Sequence, residues 1–134
     1  MFQGPKKSKY KKVRKGSLGK FKYNSNKLYF GIIGLKARNS GILNARQIES
    51  ARRAIVRKTK RKSKLWIRIF PDLPITKKPT GVRMGKGKGP FSHWGARITG
   101  GTTIFELAGA NIKQLIIALK SCAHKLPIKT VIFN

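Results

Sequence analysis

The residues best suited to chemistry in this 134-residue chain are Arg83-Met-Gly-Lys-Gly-Lys-Gly89. Glycines at alternate positions admit backbone conformations that residues with a β-carbon avoid. The two lysines between them place ammonium groups on a slim finger. Such a loop can approach a phosphate backbone with exposed N–H groups and charged heads together. A nucleotide-binding P-loop is the obvious rival, and its spacing fails. Three residues separate Gly81 from Gly85 where four are needed, and no Ser or Thr follows Lys86. No nearby carboxylate is placed to manage Mg²⁺. The plain alternative is a flexible hairpin tip.

Other chemistry has little material. Glu49, Asp72 and Glu106 are the only acids, and none has a sequence partner suggesting a paired-carboxylate site. Asp72 reads as the partner of a nearby cation or as a turn cap. His93 and His124 are isolated. His93 beside Trp94 reads as a structural histidine, with base stacking as the alternative. Cys122 is the only cysteine; it excludes an internal disulfide, points to a reducing compartment and reads as a core residue. No catalytic residue, metal site or cofactor is expected.

Cations are abundant instead. The chain carries 32 Lys and Arg against three acids, a formal charge of +29. Their distribution is polar: 28 of the 32 lie in the first 97 residues, with Glu49 and Asp72 as the only acids there. Like charges in a compact domain repel, so the excess must be offset from outside the chain. Solubility alone asks for a net charge of only about 2–8. Nucleic acid is the partner such a balance fits best, ahead of an anionic membrane. Apolar runs such as Leu115 to Leu119 are far shorter than the roughly 20 residues that span a bilayer. Neither a membrane nor a homo-oligomer is expected.

These charges need elements to position them. Residues 1–27 hold ten cations and no acid, with Tyr10, Phe21 and Tyr23 interleaved. The segment cannot collapse alone. It reads as an extended arm that orders on RNA through Lys6, Lys7, Lys9, Lys11, Lys12, Arg14 and Lys15. It has no apolar secretory core, and Gly4, Pro5, Gly16 and Gly19 break any presequence helix. Residues 28–134 read as one domain. A strand is expected over Leu28–Ala37. A helix follows, capped by Asn44 with Gln47 in capping-box position. Ile48, Ala51, Ile55 and Thr59 mark its buried stripe. Arg46, Arg53, Arg57 and Lys60 share the opposite side, where guanidinium forks can lie along phosphates.

Further on, Lys64–Phe70 alternates as a strand, and Pro71, Pro74 and Pro79 imply an extended loop. Short strands are expected at Gly81–Met84 and His93–Ile98. Gly100-Gly101 reads as a turn that lets Thr102–Leu107 pair back on the preceding strand. Asn111 caps a last helix over Ile112–Lys125, buried through Leu115, Ile116, Leu119 and Ala123. Thr130–Phe133 closes as a strand. Hairpins with two helices between them predict an α+β fold, the helices on one face of a mostly antiparallel sheet.

Five blocks in order then resemble one family, the large-subunit ribosomal protein L-sixteen family of bacterial naming. They are Pro5-Lys-Lys-Ser-Lys-Tyr-Lys-Lys12, Ala45–Ala54, Trp66–Asp72 with Pro74–Thr76, Val82–Gly89, and Lys125–Thr130. The resemblance runs nearly end to end. It implies an α+β sandwich with a β-hammerhead, a structural constituent of the large ribosomal subunit that binds large-subunit rRNA near the central protuberance. The helix residues Arg46, Arg52, Arg53 and Arg57 are then rRNA-facing. Arg83, Met84, Lys86 and Lys88 are then on a loop facing the aminoacyl-site tRNA and the peptidyl-transferase region. Neighbouring ribosomal proteins are the remaining partners, and peptide-bond chemistry belongs to RNA. A free RNA chaperone or assembly factor is the alternative.

Two departures stand out. The family often has an acid where this chain has Ala108, which puts any local capping role of Glu106 in doubt. Gly89–Ile98 looks more like mitochondrial relatives. With the heavy use of Lys, Asn and Ile, this suggests a mitochondrion-encoded protein, a plastid or bacterial cytoplasm being the alternatives.

Overall fold

The computed structural model describes residues 4–19, 21–22 and 27–134. Its elements run β1 (Ile33–Ala37), β2 (Gly41–Asn44), α1 (Ala45–Lys58), β3 (Lys64–Ile67), β4 (Leu73–Thr76), β5 (Phe91–Ile98), β6 (Thr103–Ala108), α2 (Ile112–Ala123) and β7 (Thr130–Phe133). The fold is α+β, with two antiparallel sheets. One has the strand order β3-β6-β1-β7 and the other β2-β5-β4.

The expected hairpin between Gly100 and Gly101 is not formed. β5 pairs with β2 and β4, whereas β6 pairs with β1 and β3. The chain changes sheets at this corner. Gly101 N donates to Ala37 O at 2.7 Å, and Ala37 N donates to Thr102 O at 2.9 Å, so the corner is tied to the β1–β2 connection. Turn residues therefore mark a change of direction, but long-range pairing chooses the partner.

Other differences have local causes. The expected strand from Leu28 begins only at Ile33, because the segment before it bends across the sheet rather than joining it. β2 went unrecognised because four residues running straight into a helix carry little periodicity. β4 contains Pro74 yet pairs with β5, Pro74 opposite Trp94. It is an edge strand, where a missing N–H is tolerated. Gly81–Met84 forms no strand: a turn is closed by Val82 N donating to Pro79 O at 3.4 Å, with Gly81 at φ +87°, and the rest is irregular. The strand expected over Lys64–Phe70 stops at Ile67.

The core fills the space between helices and sheets. Ile48, Ala51 and Ile55 of α1 and Leu115, Ala118, Leu119 and Cys122 of α2 meet Leu35, Phe105 and Leu107 from one sheet and Leu43, Ala96 and Ile98 from the other. The stripe expected on α1 is thus buried, Thr59 included. On α2 the buried stripe falls on Ala118 and Cys122, while Ile116 and Ala123 are only half-buried. Burial pushes the Cys122 thiol up to about 12, which removes it as a nucleophile.

Candidate nucleic-acid interface

Helix α1 starts without a linker. Asn44 ends β2 opposite Gly95 and also caps the helix, its N–H donating to Gln47 Oε1 at 2.9 Å in a capping box. The first turns of α1 are thereby fixed beside β5. Between them lies a groove of about 890 Å³ with Arg46, Arg53, Arg57 and Lys125 around it. Its floor includes Phe91 and His93. His93 Nε2 donates to Asn44 Oδ1 at 3.0 Å, and Nδ1 lies 3.0 Å from Ser92 Oγ. Both ring nitrogens are engaged, so His93 is a structural histidine that ties β5 to the helix cap. Trp94 is 9% exposed and packs on Phe91, with ring centroids 5.0 Å apart.

Glu49 is the single acid on this helix. Arg52 donates to it twice, each at 2.8 Å, and Arg53 Nε donates at 3.0 Å. The hydrogen bond from Arg52 and the charges of both arginines outweigh partial burial and hold the Glu49 carboxyl at about 2, well below its usual range. Arg53 remains 67% exposed and Arg52 only 30%. Six residues at about 100° each put Arg52 about 120° round the helix from Arg46. The groove therefore gathers Arg46, Arg53 and Arg57, and Arg52 lies outside it.

Lys60 also lies beyond the groove, in the turn that ends α1. Arg61 N donates to Val56 O at 3.1 Å and Lys60 N to Arg57 O at 3.3 Å, the paired bonds of a Schellman stop. Glycine normally occupies this turn, yet Lys60 has φ +48° and Arg61 φ +62°.

On the other side of Trp94, the arm lies against the three-stranded sheet. Trp94, Lys7, Lys9, Tyr10, Phe70 and Arg97 border a second groove of about 640 Å³. Arg97 Nη2 donates to Arg14 O at 3.1 Å. Lys6, Lys7, Lys9, Lys11, Lys12, Arg14 and Lys15 are all exposed. Phe21 bridges to Gly100 and is 61% exposed, so it neither enters the core nor lacks a backbone anchor. Tyr23 falls outside the described residues. Asp72 borders this second groove and has no ion pair among the described residues.

The Gly/Lys loop rises beside the arm. Its neck is closed where Lys77 N donates to Pro90 O at 3.2 Å. A β-carbon on Gly89 would fall 2.8 Å from the Lys77 backbone, so only glycine lets the two legs approach. At the tip Gly85, Lys86 and Gly87 run consecutively at φ +97°, +53° and +83°. Lys78 Nζ donates to Gly85 O. Arg83, Met84, Lys86 and Lys88 are exposed, Met84 at 97%. Lys12 Nζ donates to Lys88 O at 3.1 Å, and Lys88 Nζ donates to Val13 O at 2.7 Å. Arm and loop, separated by 75 residues in the chain, form one basic surface.

Lys78, Arg97 and Lys125 join these surfaces and were not anticipated. Their placement depends on tertiary contacts, and only folding brings each beside the others. Glu106, whose capping role the sequence left in doubt, does cap. Its Oε2 accepts from Tyr29, Phe30 and Gly31 N at 3.1, 2.7 and 3.0 Å.

Comparison with known proteins gives these surfaces a context. Residues 5–133 match the family model described as ribosomal protein L16p/L10e. The chain is 50% identical over 127 residues to the large ribosomal subunit protein uL16 of Buchnera aphidicola subsp. Baizongia pistaciae, covering 95% of this chain and 93% of the relative. It is 48% identical over 128 residues to that of Psychrobacter arcticus, covering 96% and 93% respectively. The match to the Borrelia hermsii protein is 48% over 126 residues, covering 94% of this chain and 91% of the relative. With arm, arginine helix, Gly/Lys loop and closing strand all inside the matched span, the chain belongs to the ribosomal protein L16p/L10e family.

Proposed function

We propose that this protein is a structural constituent of the large ribosomal subunit, without enzymatic activity, and that its basic surfaces bind large-subunit rRNA. The observation that carries the reading is the joining of arm and loop through Lys12, Lys88 and Val13, beside the groove with Arg46, Arg53 and Arg57. Arm and loop thus form one surface, and the arginine groove flanks it across Trp94, with hardly a competing acid. Phosphate contacts there position the domain, and RNA shape supplies selectivity.

The tip residues Arg83, Met84, Lys86 and Lys88 are directed at the aminoacyl-site tRNA in this reading, toward the peptidyl-transferase region. Exposure of all four tip residues, with two ammonium groups carried between glycines, supports it. Neighbouring ribosomal proteins complete the set of partners. The relatives named above are bacterial proteins, which fits the bacterial-cytoplasm alternative for the compartment. The mitochondrial reading rests on Gly89–Ile98 and on composition alone.

The test is density-gradient sedimentation of a native extract at moderate and high salt, with the protein followed by mass spectrometry. Stoichiometric migration with large subunits at high salt is the expected result. Migration as free protein would favour an RNA chaperone or assembly factor. For the loop, Lys86→Ala with Lys88→Ala should impair tRNA accommodation more than incorporation into subunits. Lost incorporation with normal tRNA function would reverse the assignment.

A further inference from the structure

The four-stranded sheet has a second face, turned away from α1 and α2, that none of the basic grooves uses. In register, Trp66 lies opposite Glu106, and Glu106 opposite Gly34, so these positions share that face. A row of rings and cations runs along its β3 edge. Lys64 Nζ sits 5.2 Å from the centre of the Trp66 ring. Trp66 stacks on Phe30 with centroids 6.0 Å apart and planes 18° from parallel. The Arg68 guanidinium lies 4.8 Å from the Phe30 ring and 4.9 Å from the Tyr29 ring. Despite these partners, Tyr29 is 69% exposed and Phe30 55%.

The row is held from beneath. Glu106 is fully buried, and one of its oxygens takes the three consecutive N–H groups of Tyr29, Phe30 and Gly31. Its other oxygen lies 3.3 Å from Arg68 Nε. Gly31 allows the close approach, because a β-carbon there would stand 2.7 Å from Leu107 O. Burying a carboxylate is unfavourable unless it is paired and hydrogen-bonded. Here the chain uses its one fully buried acid to fix the backbone of two exposed rings. The rings so fixed stay largely exposed and add little to the core. The arrangement does preorganise them for something outside the domain.

We propose that this row is a stacking platform for unpaired RNA bases, with Lys64 and Arg68 meeting the phosphates between them. The proposal rests on the RNA-binding reading above. A base offers a π-face to Tyr29 or Phe30, and its backbone supplies negative charge to Lys64, which has no ion pair among the described residues, and to the guanidinium of Arg68 beyond its contact with Glu106. An apolar protein surface would instead bury the Lys64 ammonium without counter-charge. Ring-to-base stacking tolerates any sequence, so the platform selects unpaired nucleotides over duplex.

The experiment compares full-length wild type with Tyr29→Ala/Phe30→Ala and Tyr29→Leu/Phe30→Leu. The leucine pair keeps apolar bulk without a π-face, and thermal melts matching wild type certify folding. Affinities are measured by anisotropy for an unstructured oligouridylate and for an A-form RNA duplex of equal phosphate count. Both variants should lose about tenfold or more on the single strand while holding the duplex as wild type does. Equal losses on both RNAs, or none on either, would overturn the platform. If wild type itself binds neither RNA, the underlying RNA-binding reading fails first. Unchanged binding to both, with the variants missing from assembled large subunits, would assign this face to a protein neighbour and overturn the proposal.

Discussion

Replacing Lys60 by glycine should make the protein more stable and its RNA binding weaker. Lys60 occupies the turn that stops α1 at φ +48°. A residue with a β-carbon in the left-handed region costs roughly 1–2 kcal/mol, and glycine relieves that. Glycine also gains unfolded-state freedom, which offsets about 0.5–1 kcal/mol. The side chain is exposed, so little packing is lost. The Schellman bonds from Lys60 N and Arg61 N use backbone only and survive the change. The net gain is about 0.5–1 kcal/mol, read as a higher urea midpoint with unchanged slope. On the RNA-binding reading proposed above, one phosphate contact is lost at the same time. If about ten phosphates are neutralised on single-stranded RNA, the log–log salt slope is roughly −7, and Lys60→Gly should shift it toward zero by about 0.7. Opposite signs in the two assays would show that strain is kept here for the sake of a cation. A destabilised Lys60→Gly protein, or an unchanged salt slope, would refute the reasoning.

Three further outcomes are expected. Glu106→Gln removes a charged acceptor shared by three N–H groups and leaves Arg68 without its partner; stability should fall by about 2–4 kcal/mol, and a urea midpoint within error of wild type would contradict the clamp. The Glu49 carboxyl is held at about 2 in the folded protein against its ordinary 4.5, so its contribution is fully present above about 4.5 and lost as pH falls toward 2. That contribution is at most about 3 kcal/mol and roughly 1–2 after solvent screening. The stability–pH curve of Glu49→Gln should therefore lack that acid limb, and a curve parallel to wild type between pH 5 and 2 would count against it. Gly89→Ala places a β-carbon 2.8 Å from Lys77 backbone atoms; the loop neck should open, seen as faster hydrogen exchange at the Lys77 amide, while unchanged protection would show that the legs give way without cost.

Much of this architecture was legible locally. The start of α1 was readable because a capping box and a three-to-four-residue apolar spacing are properties of adjacent residues: Asn44, Gln47, Ile48, Ala51 and Ile55. Asn111, whose side chain accepts from Lys113 N at 3.1 Å, marked α2 in the same way. The β7 strand and the exposed Gly/Lys tip followed from β-branched and glycine positions. Harder were β2 and β4, each four residues long, since short strands carry too few residues for alternation to show. Pro74 concealed β4 further, because a proline argues against a strand unless that strand is known to be an edge.

The sequence by itself determined the α+β character and the excess of cations that points to a polyanionic partner. A charge of +29 and the near-absence of acids are sums over residues, independent of where the chain goes. Helix caps and apolar periodicity are likewise local. Tertiary structure decided which cations act together. Lys12 and Lys88 meet, Lys125 joins Arg46 and Arg53, and Arg52 is turned aside to Glu49. It also decided that β5 and β6 part into different sheets, and that Glu106 faces Tyr29 and Phe30 across more than seventy residues of chain. Strand pairing and side-chain clustering are long-range choices made by burial and by satisfying backbone N–H groups. Those energies exist only once the partners have been brought together.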